Sequence, residues 1–333
     1  MDNALATVAA GLVGLATSGA LAAIAAARLR RGRPYLANGL FVALDGPVDP
    51  AAVAARAGYA GVEVGVRIDA DTTFQTLRLT CAMPPGEPAP TFDQAVLTPL
   101  AARVAGNPLG RVHPRRAEPF LLMVRAEPDP DPETGVVRAT GREYETLDRL
   151  LRPHAPILTT FLGGRVVPGP ITVVLTGPHW SRADLLGAYE RYAFLEGRFS
   201  DLEPGGLPAS VAPMVTEPLA ARIGWDAREE WPEFPAEARH IVRSLVRAAH
   251  AGGRRVRFAD VPEGPRRVRN AFWRELRAAE VDVIGSRHRG ALARFLRRPV
   301  RRTYKHRATP VRYAPGMHRK GLPALHEPQV NTE

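Results

Sequence analysis

Glu63, Arg125 and Arg257 are the residues of this 333-residue chain whose types and placement offer chemistry. Each falls in a predicted strand, and the two arginines fall near strand C-terminal ends. Two guanidinium groups brought together can grip a phosphate bidentately, or they can serve as partners in an internal salt bridge. Glu63 has two uses as well. It can be a lone metal ligand, or a buried carboxylate paired with Arg125 or Arg257. A single carboxylate holds a divalent cation poorly, which favours pairing. Asp69 and Asp71 flank a short loop after the second predicted strand, where they can complete a ligand set or simply solvate a turn. Asp282 reads as a structural hydrogen-bonding group. His179 precedes Trp180 in a strand-end loop and is the mid-chain histidine that can reach a site there. His250 precedes a glycine pair and suits a helix C-terminus. Cys81 has no identifiable base nearby and reads as a small core residue.

The elements that must position these residues alternate between strand and helix. Strands are predicted at Gly39–Asp45, Gly61–Ile68, Thr76–Met83, Pro119–Glu127, Pro170–Gly177, Phe199–Leu202, Ala212–Val215, Arg254–Asp260 and Ala279–Gly285. Helices are predicted at Pro50–Ala57, Phe92–Ala105, Glu143–Leu151, Leu185–Tyr192, Pro235–Gly252, Pro265–Ala279 and Arg289–Arg298. Strands separated by helices with short links imply parallel pairing with crossover helices. About eight strands over some 260 residues fits an α/β fold of the (β/α)8 type. An open doubly wound sheet is the alternative. No G-x-G-x-x-G follows the first strand and no phosphate-loop motif occurs, so the usual ligands of that fold have no support.

Composition sets further bounds. One cysteine excludes an internal disulfide and a cysteine-rich zinc site. The net charge of +11 is local. Residues 286–320 hold 12 Arg or Lys and no acid, so residues 1–285 are near neutral. Residues 3–27 carry no charge and are followed by Arg28, Arg30, Arg31 and Arg33. Twenty-five residues suffice for one crossing of a bilayer, and the flanking charge favours a cytoplasmic barrel. Secretion after cleavage is the alternative. The expected organisation is a hydrophobic helix with basic flank over 1–33, a barrel over 34–298, and a basic, proline-containing tail over 299–333. The tail suits an anionic membrane surface, or is a solvated end. A nucleic-acid partner, which would use Tyr304 and Tyr313 among the basic residues, is disfavoured.

Five segments, in order, resemble the glycerophosphodiester phosphodiesterase and phosphatidylinositol phospholipase C-like barrels. The resemblance is to the bacterial branch that includes altered-inheritance-of-mitochondria proteins. The segments are Gly58–Glu63, Phe120–Arg125, Pro168–Gly177, Ala249–Phe258 and Ala278–Ile284. The resemblance implies hydrolysis of lipid or glycerol phosphodiesters by two histidines, with carboxylates holding Mg²⁺ or Ca²⁺. This chain departs at each implied position. The first-strand histidine element falls at Leu40–Leu44, which is apolar. The second-strand Glu-x-Asp reads Glu63-Val64-Gly65. The second histidine falls near Cys81 or Ala82. The central Asp-x-Lys reads Met123-Val124-Arg125, and the closing acid falls near Arg287. The expectation is a degenerate barrel that binds a phospholipid headgroup or glycerophosphodiester through Arg125 and Arg257. Two alternatives stand beside it: a diesterase with a rebuilt metal site, and a membrane-surface scaffold working through its tail.

Overall fold

A computed structural model of the chain describes residues 36–44, 49–69, 76–80, 87–114, 116–127, 142–177, 180, 182–225 and 234–298. The expected N-terminal hydrophobic helix and the basic tail lie outside these residues. So do Asp71, Cys81 and His179. Among the described residues, no helix is long and apolar enough to cross a membrane.

Eight parallel strands form the barrel wall: β1 (Leu36–Val42), β2 (Tyr59–Asp69), β4 (Phe120–Ala126), β7 (Ile171–Thr176), β9 (Ala193–Gly197), β10 (Met214–Pro218), β11 (Arg255–Ala259) and β12 (Ile284–Ser286). Each pairs with its neighbours in chain order, and β12 returns to β1 with Leu40 opposite Gly285. The ring closes between β11 and β12 by a single bridge, where the Val283 amide donates to the Val256 carbonyl at 3.1 Å. Helices α1 (Pro50–Ala57), α2 (Thr98–Ala105), α3 (Glu143–Leu151), α4 (Arg182–Gly187), α5 (Leu219–Ile223), α6 (Ala236–Ala251), α7 (Arg266–Ala278) and α8 (Arg289–Leu296) lie between the strands in sequence. This is the expected (β/α)8 barrel.

Two apolar layers follow from the strand alternation. Leu40, Leu121, Met123, Val174, Phe194, Met214 and Val283 fill the barrel interior. The intervening residues pack outward beneath the helices, as Val62, Leu122, Val124 and Val173 do. β4 supplies both layers, which is why Phe120–Val124 reads as an unbroken apolar run.

Three expectations are corrected. Thr76–Met83 is not a wall strand. Its ordered part, β3 (Thr76–Leu79), pairs antiparallel with the overhanging end of β2. The strict alternation of that segment marks a ribbon with one solvated face, whereas wall strands are buried on both faces. The fifth wall strand is β9 rather than Phe199–Leu202, which forms a 3₁₀ turn. The helix expected over Leu185–Tyr192 also ends early, at Gly187.

A small sheet closes the N-terminal end of the barrel. It consists of the hairpin β5 (Thr160–Leu162) and β6 (Arg165–Val167), joined to β8 (Glu190–Arg191). Phe161 packs inward onto the interior cluster. The buried guanidinium of Arg191 stacks on it at 3.7 Å and donates to the Ser210 carbonyl at 2.5 Å.

His113 pins the start of β2 to the loop after α2. Its Nε2 lies 2.6 Å from the Tyr59 carbonyl, so Nε2 carries the proton of a neutral ring. Burial holds its pKa below the ordinary 6.5, only partly offset by that hydrogen bond. The unfolded chain therefore takes up a proton that the folded chain refuses. Stability from this site is full above about pH 6.5 and is lost as the pH falls from there through the lowered folded value. Thermal unfolding between pH 7.5 and 5 is expected to show this loss, and His113→Gln should flatten the slope. An unchanged slope in the variant would contradict it.

Candidate functional site

Glu63, Arg125 and Arg257 come from three strands and meet inside the barrel near the C-terminal mouth, where barrel active sites lie. Each sits at an inward position of its strand. Arg257 is the centre of the cluster. Its Nη2 donates to Glu63 Oε2 at 2.7 Å and its Nη1 donates to Glu196 Oε1 at 3.2 Å. Glu196 also accepts from the Thr216 hydroxyl at 2.6 Å. Burial alone would lower the Arg257 pKa, but the two carboxylates outweigh it and hold the guanidinium charged. Arg257 is thus occupied by two carboxylates, the internal salt bridge that was one of its two readings in sequence.

Arg125 is placed differently. Its Nη2 is 3.6 Å from Glu63 Oε1, and its side chain is 39% exposed against 10% for Arg257. The contact exceeds hydrogen-bonding distance, so it is an electrostatic contact only. Gly65, Arg125 and Thr176 stand side by side across β2, β4 and β7. The amide of Thr80 bonds the Gly65 carbonyl at 3.0 Å and brings Thr80 to the same row. Among the described residues, four buried polar atoms without a hydrogen-bond partner gather here: Glu63 Oε1, Thr80 Oγ1, Arg125 Nε and Thr176 Oγ1.

Gly65 explains the missing second carboxylate. A Cβ at this position would overlap Thr80 Oγ1 and lie 2.8 Å from Glu127 Oε2. The volume that an aspartate would take is filled by Thr80 and by Glu127, which follows β4. Nor does the donor set suit Mg²⁺ or Ca²⁺ at Glu63. Both of its oxygens face guanidinium groups, and a divalent ion needs several oxygen ligands free of competing cations. Among the described residues there is no group of three histidine, cysteine or acidic side chains able to hold a metal.

The remaining candidates separate from this cluster. Asp69 ends β2, and its side chain lies outside what the structure describes. Asp282 accepts from the Val256 amide and from His250 Nε2, each at 2.8 Å, at the N-terminal end of the barrel. That is a structural role, and it gives His250 a carboxylate partner rather than a helix end. Near Arg287, where an acid was expected, Glu263 supplies one from the preceding loop. It accepts from the Arg287 amide at 2.9 Å and the Ser286 hydroxyl at 2.8 Å. Glu196, Thr80 and Thr176 were not identified from sequence. A glutamate inside the apolar run Ala193-Phe194-Leu195-Glu196 was the available signal for the first.

No family model matches the chain. Over 111 residues it is 32% identical to the "Altered inheritance of mitochondria protein 6 homolog" of Arthroderma benhamiae, a stretch covering 33% of this chain and 34% of that protein. The chain thus matches about a third of that relative's length. Among solved structures, a calcium-dependent phosphoinositol-specific phospholipase C from a Gram-negative Pseudomonas species, in its apo form, is similar over 78% of this chain and 92% of that chain. The identity is 12% and the TM-score 0.44.

Removing one carboxylate from Arg257 leaves a buried charge under-compensated. Glu63→Gln is expected to cost about 3 kcal/mol in urea unfolding. Pairing it with Arg257→Met should cost less than the two single losses added. Additive losses would show that the pair is not coupled. Gly65→Asp, which restores the missing acid by type, is expected to destabilise the fold by about 2 kcal/mol through overpacking. It should confer no Ca²⁺-dependent rise in melting temperature, and such a rise would refute the steric account.

Proposed function

We propose that this chain is a phosphodiesterase-like barrel that binds a phosphorylated ligand at its mouth without cleaving it. The ligand class is a phospholipid headgroup or a glycerophosphodiester. The observation that carries this reading is the row of unpaired donors. Thr80 Oγ1, Arg125 Nε and Thr176 Oγ1 are all buried without a partner among the described residues, on adjacent strands. Buried polar atoms in native proteins are nearly always bonded, to water or ligand if not to protein. Two hydroxyls and a guanidinium in one row match the acceptor oxygens of a phosphate. Arg125 is free to turn toward such an anion, because Glu63 keeps its 2.7 Å bond to Arg257.

What supports binding without cleavage is the set of residues at the implied catalytic positions. General acid–base cleavage needs a positioned pair of titratable groups. Leu40, Phe41 and Ala43 are buried apolar residues on and just after β1, and Met123 fills the inward position on β4. None of these can move a proton. The rival reading, a diesterase with a rebuilt metal site, has Glu127 above Gly65 as its one favourable feature.

Purified protein should be warmed with inorganic phosphate, glycerol 3-phosphate and glycerophosphoinositol. A ligand-dependent rise in melting temperature is expected, and Arg125→Gln should abolish it. Thr176→Val should weaken binding about tenfold, the worth of one hydrogen bond to a charged group. No turnover of bis(p-nitrophenyl) phosphate is expected with Mg²⁺, Ca²⁺ or Mn²⁺. Turnover that vanishes in Glu63→Ala would establish the diesterase instead.

A further inference from the structure

The N-terminal face of the barrel, opposite the mouth, carries an apolar surface that the ligand-binding reading does not use. Among the described residues six large apolar side chains are exposed. Five of them, Leu162, Val166, Val167, Leu186 and Tyr189, fall between residues 162 and 189. Leu162 and Val167 share the outer face of the hairpin with Arg165, on the side away from Phe161. The β5–β6 hairpin turns Phe161 inward, while every residue of β6 is exposed. Tyr189, 75% exposed, lies over the hairpin turn, its hydroxyl 3.0 Å from where a Cβ at Gly163 would stand.

Both ends of the described chain are on this same face. The chain enters the barrel here at Leu36, the first residue of β1, and leaves after α8, whose last turn points back to this end. Arg277 at the end of α7 donates to the Arg298 carbonyl at 2.8 Å, and Arg297 and Arg298 are exposed. Exposed Arg165 lies within β6 itself. The sequence on either side matches. Residues 3–27 are uncharged, residues 28–33 hold four arginines, and residues 299–320 hold seven Arg or Lys and no acid.

We infer that this face rests on an anionic lipid bilayer. Leu162 and Val167 of the hairpin and Tyr189 beside it enter the interfacial region, and the exposed Arg165, Arg297 and Arg298 of the same face meet lipid phosphates. Tyrosine at the rim suits the boundary between acyl chains and headgroups. A second copy of the chain is a poorer occupant. It would bring Arg165, Arg297 and Arg298 against their own kind. The mouth then opens away from the lipid, so of the two proposed ligand classes the water-soluble glycerophosphodiester is the one that reaches it. This inference does not depend on the mouth binding phosphate.

The test uses the full chain with phosphatidylglycerol–phosphatidylcholine vesicles whose acyl chains are brominated to quench tryptophan. Val167→Trp places a reporter on the hairpin. Gly264→Trp places one in the exposed loop after β11 on the mouth side, where a Cβ meets nothing within 4 Å. Relative to the unsubstituted chain, the added fluorescence of Val167→Trp should be lost and that of Gly264→Trp retained. Quenching at 264, or at neither position, overturns the inference. Equal quenching in phosphatidylcholine alone overturns the anionic assignment. An unsubstituted chain that sediments as a dimer without lipid, and becomes a monomer in Val167→Asp, assigns the patch to self-association and overturns it as well.

Discussion

Everything at the mouth of this barrel depends on the burial of Arg257. A guanidinium that is 10% exposed cannot be left without a counter-charge, because desolvating an ion costs several kcal/mol. Glu63 and Glu196 supply two carboxylates from strands on either side of the ring. Their hydrogen bonds span β2, β9 and β11, which are not neighbours in the wall. The pair therefore acts as a strut across the interior, just above the apolar layer of Met123, Val174 and Phe194. It also decides what Glu63 can do. A carboxylate already bonded to one guanidinium and faced by another cannot serve as the core of a divalent-metal site.

The strut frees Arg125. Two acids and two arginines make the cluster neutral as a set, so an anion arriving at the rim meets no net attraction from it as a whole. What sets the two arginines apart is the inequality of their contacts. Arg257 holds Glu63 at 2.7 Å, while Arg125 stands off at 3.6 Å. Turning Arg125 outward costs little, since Glu63 remains compensated. The hydroxyls of Thr80 and Thr176 flank it at the same level and supply directional donors that charge alone would not.

Much of the barrel was legible in the chain. Continuous apolar runs such as Phe120–Leu122 and Ile171–Leu175 can only be buried on both faces, and the intervening helices have clear amphipathic character and stops. Less legible were the elements whose pattern serves two purposes. Thr76–Leu79 alternates well, yet its alternation belongs to a ribbon beyond the wall. Ala193–Gly197 is short and follows a helix without a strong breaker, so its strand, and with it Glu196, was missed. The hairpin over residues 160–167 has too few residues to register as two strands. At the site, the types of Glu63, Arg125 and Arg257 were visible, and pairing was one of the two readings open for them. Which arginine pairs tightly was not, because that depends on Glu196 and on how deep each strand position sits below the rim. Thr80 and Thr176 give no signal in sequence, since a threonine at a strand end is ordinary until its hydroxyl is found buried without a partner among the described residues.

The two ends of the barrel are built on opposite principles. At the C-terminal mouth, inward positions carry Glu63, Glu196, Arg125, Arg257 and threonine hydroxyls, so the interior becomes polar toward the opening. At the N-terminal end, Phe161 and Phe194 seal the interior and Arg191 is spent stacking on them. A barrel bound to lipid by its polar mouth would have to desolvate the strut region against hydrocarbon, where unpaired polar atoms are most costly. At the N-terminal end the hairpin already presents apolar side chains, Leu162 and Val167 among them, to solvent. The distribution of buried charge along the barrel axis thus separates a polar mouth from an aromatic N-terminal seal.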